Sequence, residues 1–158
     1  MEFSIVRVCR ENYLMFHDMV FERVHGREKT EDERKEICDF DLAYAALDND
    51  GLYVFAALAE NRFIGWISIV YIPKVSWTSG KGHLFIDELW VNPAFRRKGI
   101  ANALLAQADS LSREMDTLGL RLYVAADNDE AISLYERAGY ENRFGAALFM
   151  EKEMEVQI

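Results

Sequence analysis

The sequence predicts one α/β domain, spanning residues 1–158, built around a mixed sheet. Three observations carry that expectation. Apolar runs at 52–60 and 62–72 meet at Glu60-Asn61-Arg62, a connection tight enough to imply an antiparallel hairpin. The stretch HLFIDELWVN, 83–92, reads as a mostly buried central strand. A helical stripe of Ile100, Leu104, Ala108, Leu111 and Met115 then lies between it and another buried strand, LRLYVAA, 120–126.

The remaining elements follow in chain order. FSIVRVC, 3–9, reads as a first strand, and Tyr13, Phe16, Val20 and Val24 recur at helical spacing. A second helix opens at Thr30 with Glu33 three residues on, a capping-box pattern. Its buried face is Ile37, Phe40, Tyr44 and Leu47, and Asn49-Asp50-Gly51 breaks it. Gly65 marks a bulge in the second hairpin strand, and Pro73 ends that strand. The loop 75–82 carries Trp77. Asp127-Asn128-Asp129 caps a short helix with Ala131, Tyr135 and Ala138 on one side, stopped by Gly139. Strands near 140–145 and 147–154 close the chain.

Composition bounds the function. Half the residues are hydrophobic (51%), which excludes disorder, and there is no linker, repeat or low-complexity tract. No apolar run approaches the roughly 18 residues of a membrane span. Arg7 and Arg10 interrupt any signal-peptide core, so a cytoplasmic location is expected. Cys9 and Cys38 stand apart without histidine company, so neither a disulfide scaffold nor a metal site is expected; both read as inert packing residues. The net charge of −9 disfavours nucleic acid and anionic membrane as partners. It suits a cationic partner such as an amine, or it serves only solubility.

Within the central strand, Leu84 and Ile86 occupy even positions, and Leu89 and Val91 odd ones. Such a change of phase is what a β-bulge produces, although burial on both faces also fits. The strand leads into NPAFRRKGIA, 92–101, where Arg96, Arg97 and Lys98 gather in an acidic chain just before Gly99 and Ala101. Strand, short loop and helix start together make anion-binding geometry, because the first amides of a helix lack internal partners and the helix dipole is positive there. Gly99 removes the Cβ that would keep an anion at a distance. A plain helix start with solvated cations is the alternative, and the glycine patterns of dinucleotide and P-loop sites are absent.

LWVNPAFRRKGIANALL, YVAADNDEAISLYERAGY and a closing LFMEKEM together resemble the GNAT superfamily of N-acetyltransferases. Arg96-x-x-Gly99-x-Ala101 matches the family's acyl-CoA motif, and Asn128, Ala131, Tyr135 and Gly139-Tyr140 match its later block. The resemblance implies a single largely antiparallel mixed sheet of about six to seven strands with about four helices. It implies acetyl-CoA as cosubstrate, no metal, and transfer of acetyl to a primary amine of a small molecule or peptide. By it, the amides of Arg97, Lys98, Gly99, Ile100 and Ala101 hold pyrophosphate, with Arg96 in the motif, and Arg97 or Lys98 reaches the outer phosphate or stays solvated. The backbone of Leu89, Trp90 and Val91 pairs with the pantetheine arm. Asn128 bonds pantetheine or simply caps its helix.

The chemistry needs a base, since deprotonating an alkyl ammonium at neutral pH costs about 4–5 kcal/mol. Glu88 is the first choice, acting through water as the family often does, and Asp87 the second; both read equally as polar residues of a kink. An amide near Leu89, exposed by the bulge, would face the carbonyl oxygen. Tyr135 is the acid for the thiolate by the resemblance, whereas periodicity alone makes it a packing aromatic. Trp77, His83, Tyr71 and the first two helices shape the acceptor pocket. The family often dimerises, and the apolar AALFM, 146–150, gives an edge for a homodimer. Rival readings are a catalytically silent acyl-CoA-binding module, and an acyl group longer than acetyl.

Overall fold

Apolar residues dominate 52–59 and 62–72, with β-branched and aromatic ones most frequent in the second run, and the two form the centre of the sheet. The computed structural model describes residues 1–36, 38–75, 80–145 and 147–152. β1 (Ser4–Arg7), α1 (Tyr13–His25), α2 (Glu31–Lys35) and α3 (Asp41–Leu47) precede the hairpin of β2 (Leu52–Ala59) and β3 (Arg62–Ile72). β4 (His83–Val91), α4 (Ile100–Glu114), β5 (Leu120–Leu122) and α5 (Asp129–Arg137) follow. The strands stand in sequence order, all neighbours antiparallel except β4 and β5, which are parallel. α4 is the crossover that a parallel pair requires. At the hairpin tip Glu60 and Asn61 both have left-handed φ, 49° and 58°, the two-residue turn whose twist suits a hairpin.

Two compact units are distinguished, Met1–Leu122 with the whole sheet and α1–α4, and Tyr123–Ile158 with α5. In the first, Met19 of α1 packs with Val8, Val54, Ala56, Phe63 and Trp66. α4 packs on β2, β3 and β4 through buried Ile100, Leu104, Leu105, Ala108 and Leu111, so its expected stripe is observed except for Met115, which is the C-cap and only half-buried. Among the described residues no helix is long and apolar enough to cross a membrane.

The expected count of strands was too high: among the described residues there are five, with five α-helices rather than four. The second helix divides after α2, whose C-cap Glu36 is extended (ψ 130°); α3 starts at Asp41, whose amide donates to Asp39 Oδ1 (2.9 Å). The capping box of Thr30 and Glu33 is present; Ile37 lies outside the described residues, and Cys38 is exposed rather than packed. β5 stops at Leu122, its partner Ile86 being the last residue of β4 before the ladder is interrupted. No strand forms at 140–145 or 147–152: Gly145 is left-handed (φ 60°), and its carbonyl accepts from Asn142 Nδ2 (3.1 Å), making a turn where extended chain was expected. Val24 is exposed, so the α1 stripe ends differently from its sequence reading.

Candidate active site

β4 does bulge. Ser68 pairs with Glu88 and the next residue, Ile69, with Ile86, so Asp87 is the extra residue. Leu84 and Ile86 stay buried before it and Val91 after it, which is the phase change read in the sequence. A second irregularity adds Ile64 next to Gly65, because Ala57 pairs with Gly65 while Leu58 pairs with Phe63.

The bulge puts Glu88 on the α1 side of the sheet. Glu88 opposes Ser68 and Trp90 opposes Trp66, so the four share one face, and Phe16 and Arg23 of α1 meet Trp66 there. Arg23 Nη1 donates to Glu88 Oε1 at 2.8 Å while its guanidinium lies over the Trp66 ring, 4.9 Å from the centroid. Trp66 and Trp90 rings stand 5.0 Å apart. Trp66 Nε1 and Ser68 Oγ are buried without a hydrogen-bond partner among the described residues. The face therefore combines a carboxylate, aromatic walls and the Ser68 hydroxyl oxygen, groups that can face a cation.

Beyond Val91 the chain turns sharply. Asn92 Oδ1 accepts the Ala94 amide (3.0 Å), with Pro93 opening a single 3-10 turn, Pro93–Phe95. Arg96 folds back, Nε donating to the Val91 carbonyl at 3.2 Å. Lys98 Nζ sits 5.1 Å from the Phe95 ring centroid. Arg97 (φ 63°) and Gly99 (φ 82°) are both left-handed, and Gly99 is the N-cap of α4. Alternating backbone of this kind turns successive amides toward one side. The first helical bond runs from Ala103 to Gly99, so the Ile100 and Ala101 amides come before the helix's own ladder. A Cβ on Gly99 would meet nothing within 4 Å, so the space there is open to a ligand. Ile100, 1% exposed, anchors the turn in the core. These residues fit an anion such as a pyrophosphate.

In the second unit, Asn128 caps α5, its Oδ1 accepting from Ala131 N at 3.1 Å. The Tyr135 ring packs edge-on against Tyr140, centroids 5.7 Å apart, and burial pushes the phenol pKa up, so it keeps its proton at neutral pH. Of the expected acceptor residues, Trp77 lies outside the described residues. His83 has its Nδ1 buried without a partner among the described residues. Burial lowers its pKa, helped by Arg121 and Lys74. No group of three or more metal-ligating side chains occurs among the described residues. The sequence reading missed Arg23, Trp66, Ser68 and the buried Asn92. Asn92 carried a local signal, since Asn before Pro favours a turn.

A model of the acetyltransferase (GNAT) family matches residues 14–140. An uncharacterized N-acetyltransferase of Methanocaldococcus jannaschii is 23% identical over 145 residues, covering 89% of this chain and 62% of that protein. The spermidine N(1)-acetyltransferase of Thermoplasma acidophilum is 28% identical over 109 residues, covering 68% of this chain and 63% of that protein. The chain thus spans less than two thirds of the length of these relatives. The structure of AAC(6')-Iy in complex with the bisubstrate analog CoA-S-monomethyl-acetylneamine shares the fold, with a TM-score of 0.75 at 17% identity, covering 98% of this chain and 100% of that one. With a family model matched from α1 to the end of α5, the chain belongs to the acetyltransferase (GNAT) family.

Proposed function

We propose that the protein transfers the acetyl group of acetyl-CoA to a primary amine of a small molecule or peptide, most readily a cationic one. One observation carries this reading: a single strand, β4, bears a carboxylate at its bulge and runs directly into a turn with left-handed Arg97 and Gly99 at a helix start. Bound acetyl-CoA would supply the activated acyl group. The amides of Arg97 to Ala101 would hold its pyrophosphate, with Arg96 and Lys98 adding positive charge. The backbone of Leu89, Trp90 and Val91 would pair with the pantetheine arm. Glu88, or Asp87 beside it, would take the ammonium proton through water. The amine would then form the new C–N bond as the C–S bond breaks, Tyr135 would give its proton to the departing sulfur, and the second proton shed by the nitrogen would restore the phenol. Its raised pKa suits that role, and the role itself rests on the sequence pattern. Asn128 is assigned to pantetheine on the same ground.

A cationic acceptor is supported by the net charge of −9 and by Arg23, which already places a cation against Glu88 and Trp66. The spermidine acetyltransferase relative and the acetylneamine-containing analog bound to AAC(6')-Iy point the same way. The Arg23 bond also favours a second reading, a silent acyl-CoA-binding module, because it occupies the carboxylate that would act as base. The deciding experiment is an amine screen, polyamines and aminoglycosides included, that follows release of free coenzyme A thiol. Acetyl transfer to any amine, lost on Glu88→Gln, supports the enzyme. Tight coenzyme A binding with no transfer across the screen supports the module.

A further inference from the structure

Glu22 and Arg23 are neighbours near the end of α1, and they reach different parts of the candidate site. Arg23 bonds to Glu88, whereas Glu22 reaches the turn after β4. The contact is Asn92, 5% exposed and, with Ser68, one of two buried polar side chains among the described residues. Its Nδ2 donates to Glu22 Oε1 at 2.9 Å, and its Oδ1 accepts the Ala94 amide at 3.0 Å. Its own amide donates to the carbonyl of Ile64, the bulge residue, at 2.9 Å, and its carbonyl accepts from Phe95 N at 2.8 Å. Of these four bonds, only the one to Glu22 ties the turn to α1. Arg62 Nη2 donates to the other carboxylate oxygen of Glu22 at 3.0 Å, so Glu22 is held from two sides. Arg62 also lies over Phe95, 5.5 Å from its centroid.

We propose that Glu22 is a positioning residue for coenzyme A: through Asn92 it fixes the 93–99 turn in the form that presents the amides of Arg97 to Ala101. The proposal rests on reading that turn as the coenzyme A site. A hydrogen bond to a carboxylate is stronger than a neutral one, and a buried amide deprived of it has no water to turn to. Without the tether the turn occupies its binding form for only part of the time, and affinity falls by that fraction. A bond that served stability alone would lower the melting temperature and leave the affinity of the folded protein as it was.

The test is calorimetric titration with coenzyme A, alongside melting curves, on the full chain. Asn92→Asp keeps the oxygen that accepts from Ala94 and sets a second carboxylate against Glu22. It should weaken binding about tenfold. The double variant Asn92→Asp with Glu22→Gln reverses donor and acceptor at unchanged total charge, and affinity should return to within about threefold of wild type. Asn92→Asp binding as wild type does, or a well-folded double variant that recovers none of the loss, overturns the proposal. Should Asn92→Asp fail to fold, Glu22→Gln alone decides: it keeps an acceptor but loses the charge, and about twofold to threefold weaker binding is expected against an unchanged affinity that refutes. Gly99→Val is the separate arm. Its binding coenzyme A normally would overturn the turn as the coenzyme A site, whereas weak binding there with normal binding in both Asn92→Asp and Glu22→Gln would sink only the role of Glu22.

Discussion

Gly65 lets β3 run close to the part of β4 that would pair with pantetheine. It pairs with Val91 on one side and Ala57 on the other. A Cβ there would stand 2.8 Å from the Trp90 carbonyl oxygen, 3.2 Å from Val91 Cα and 3.3 Å from Val91 Cγ2. Comfortable contact between such atoms is about 3.5–4.0 Å. Two of the three are backbone, so no rotamer change relieves the clash and the strands must part by several tenths of an ångström. Gly65 is not among the left-handed glycines, so crowding is the whole cost. Overpacking of this kind costs about 1–3 kcal/mol. Taking about 2 kcal/mol, a chain of this length should melt roughly 4–8 °C lower as Gly65→Ala. Gly26→Ala is the contrast: it has φ 67° and nothing within 4 Å of an added Cβ, so only left-handed backbone strain of about 1–2 kcal/mol applies. Differential scanning calorimetry reads both. A Gly65→Ala protein melting within about 1 °C of wild type would refute the close approach of β3 to the Trp90–Val91 backbone.

Tyr135→Phe keeps the ring and removes the hydroxyl; turnover should fall about 10²–10⁴-fold with coenzyme A affinity unchanged. Unchanged turnover, with chemistry shown to be rate-limiting, ends the assignment of Tyr135 as the acid. His83, whose pKa is lowered by burial, should titrate below 6.5 in an NMR pH series. Because its folded-state value lies below the unfolded one, its share of stability is present above pH 6.5 and is lost as pH falls through the folded value. A midpoint at or above 6.5 contradicts the buried Nδ1. A homodimer is expected by light scattering, with the apolar Leu148, Phe149 and Met150 as the segment to be covered, and a monomer at high micromolar concentration would exclude it.

What could be read from the sequence was whatever local periodicity and local chemistry determine. The hairpin, the bulge in β4, the stripe of α4 and the caps at Thr30 and Asn128 each depend on neighbours within a few residues. The lengths of β5 and of the segment after α5 do not. β5 ends where its partner's ladder is interrupted, which depends on pairing across some thirty-five positions. The apolar letters of 123–126 carry no trace of that.

The α1 side of the site failed for a more instructive reason. Tyr13, Phe16, Val20 and Val24 make a regular stripe, yet the residue of α1 that is fully buried is Met19, and Val24 is exposed. Counting three and four residues on from Met19 gives Glu22 and Arg23, not Val24. The sheet-facing side of the last turns thus carries charge, Glu22 partly buried and Arg23 exposed, and each finds a partner on the sheet. Those partners are Asn92, Arg62 and Glu88, between forty and seventy residues away in the chain. A stripe centred on Met19 would have raised the question of what Glu22 and Arg23 hold. The answer is the two features on which the proposed chemistry depends, the cofactor turn and the carboxylate at the bulge.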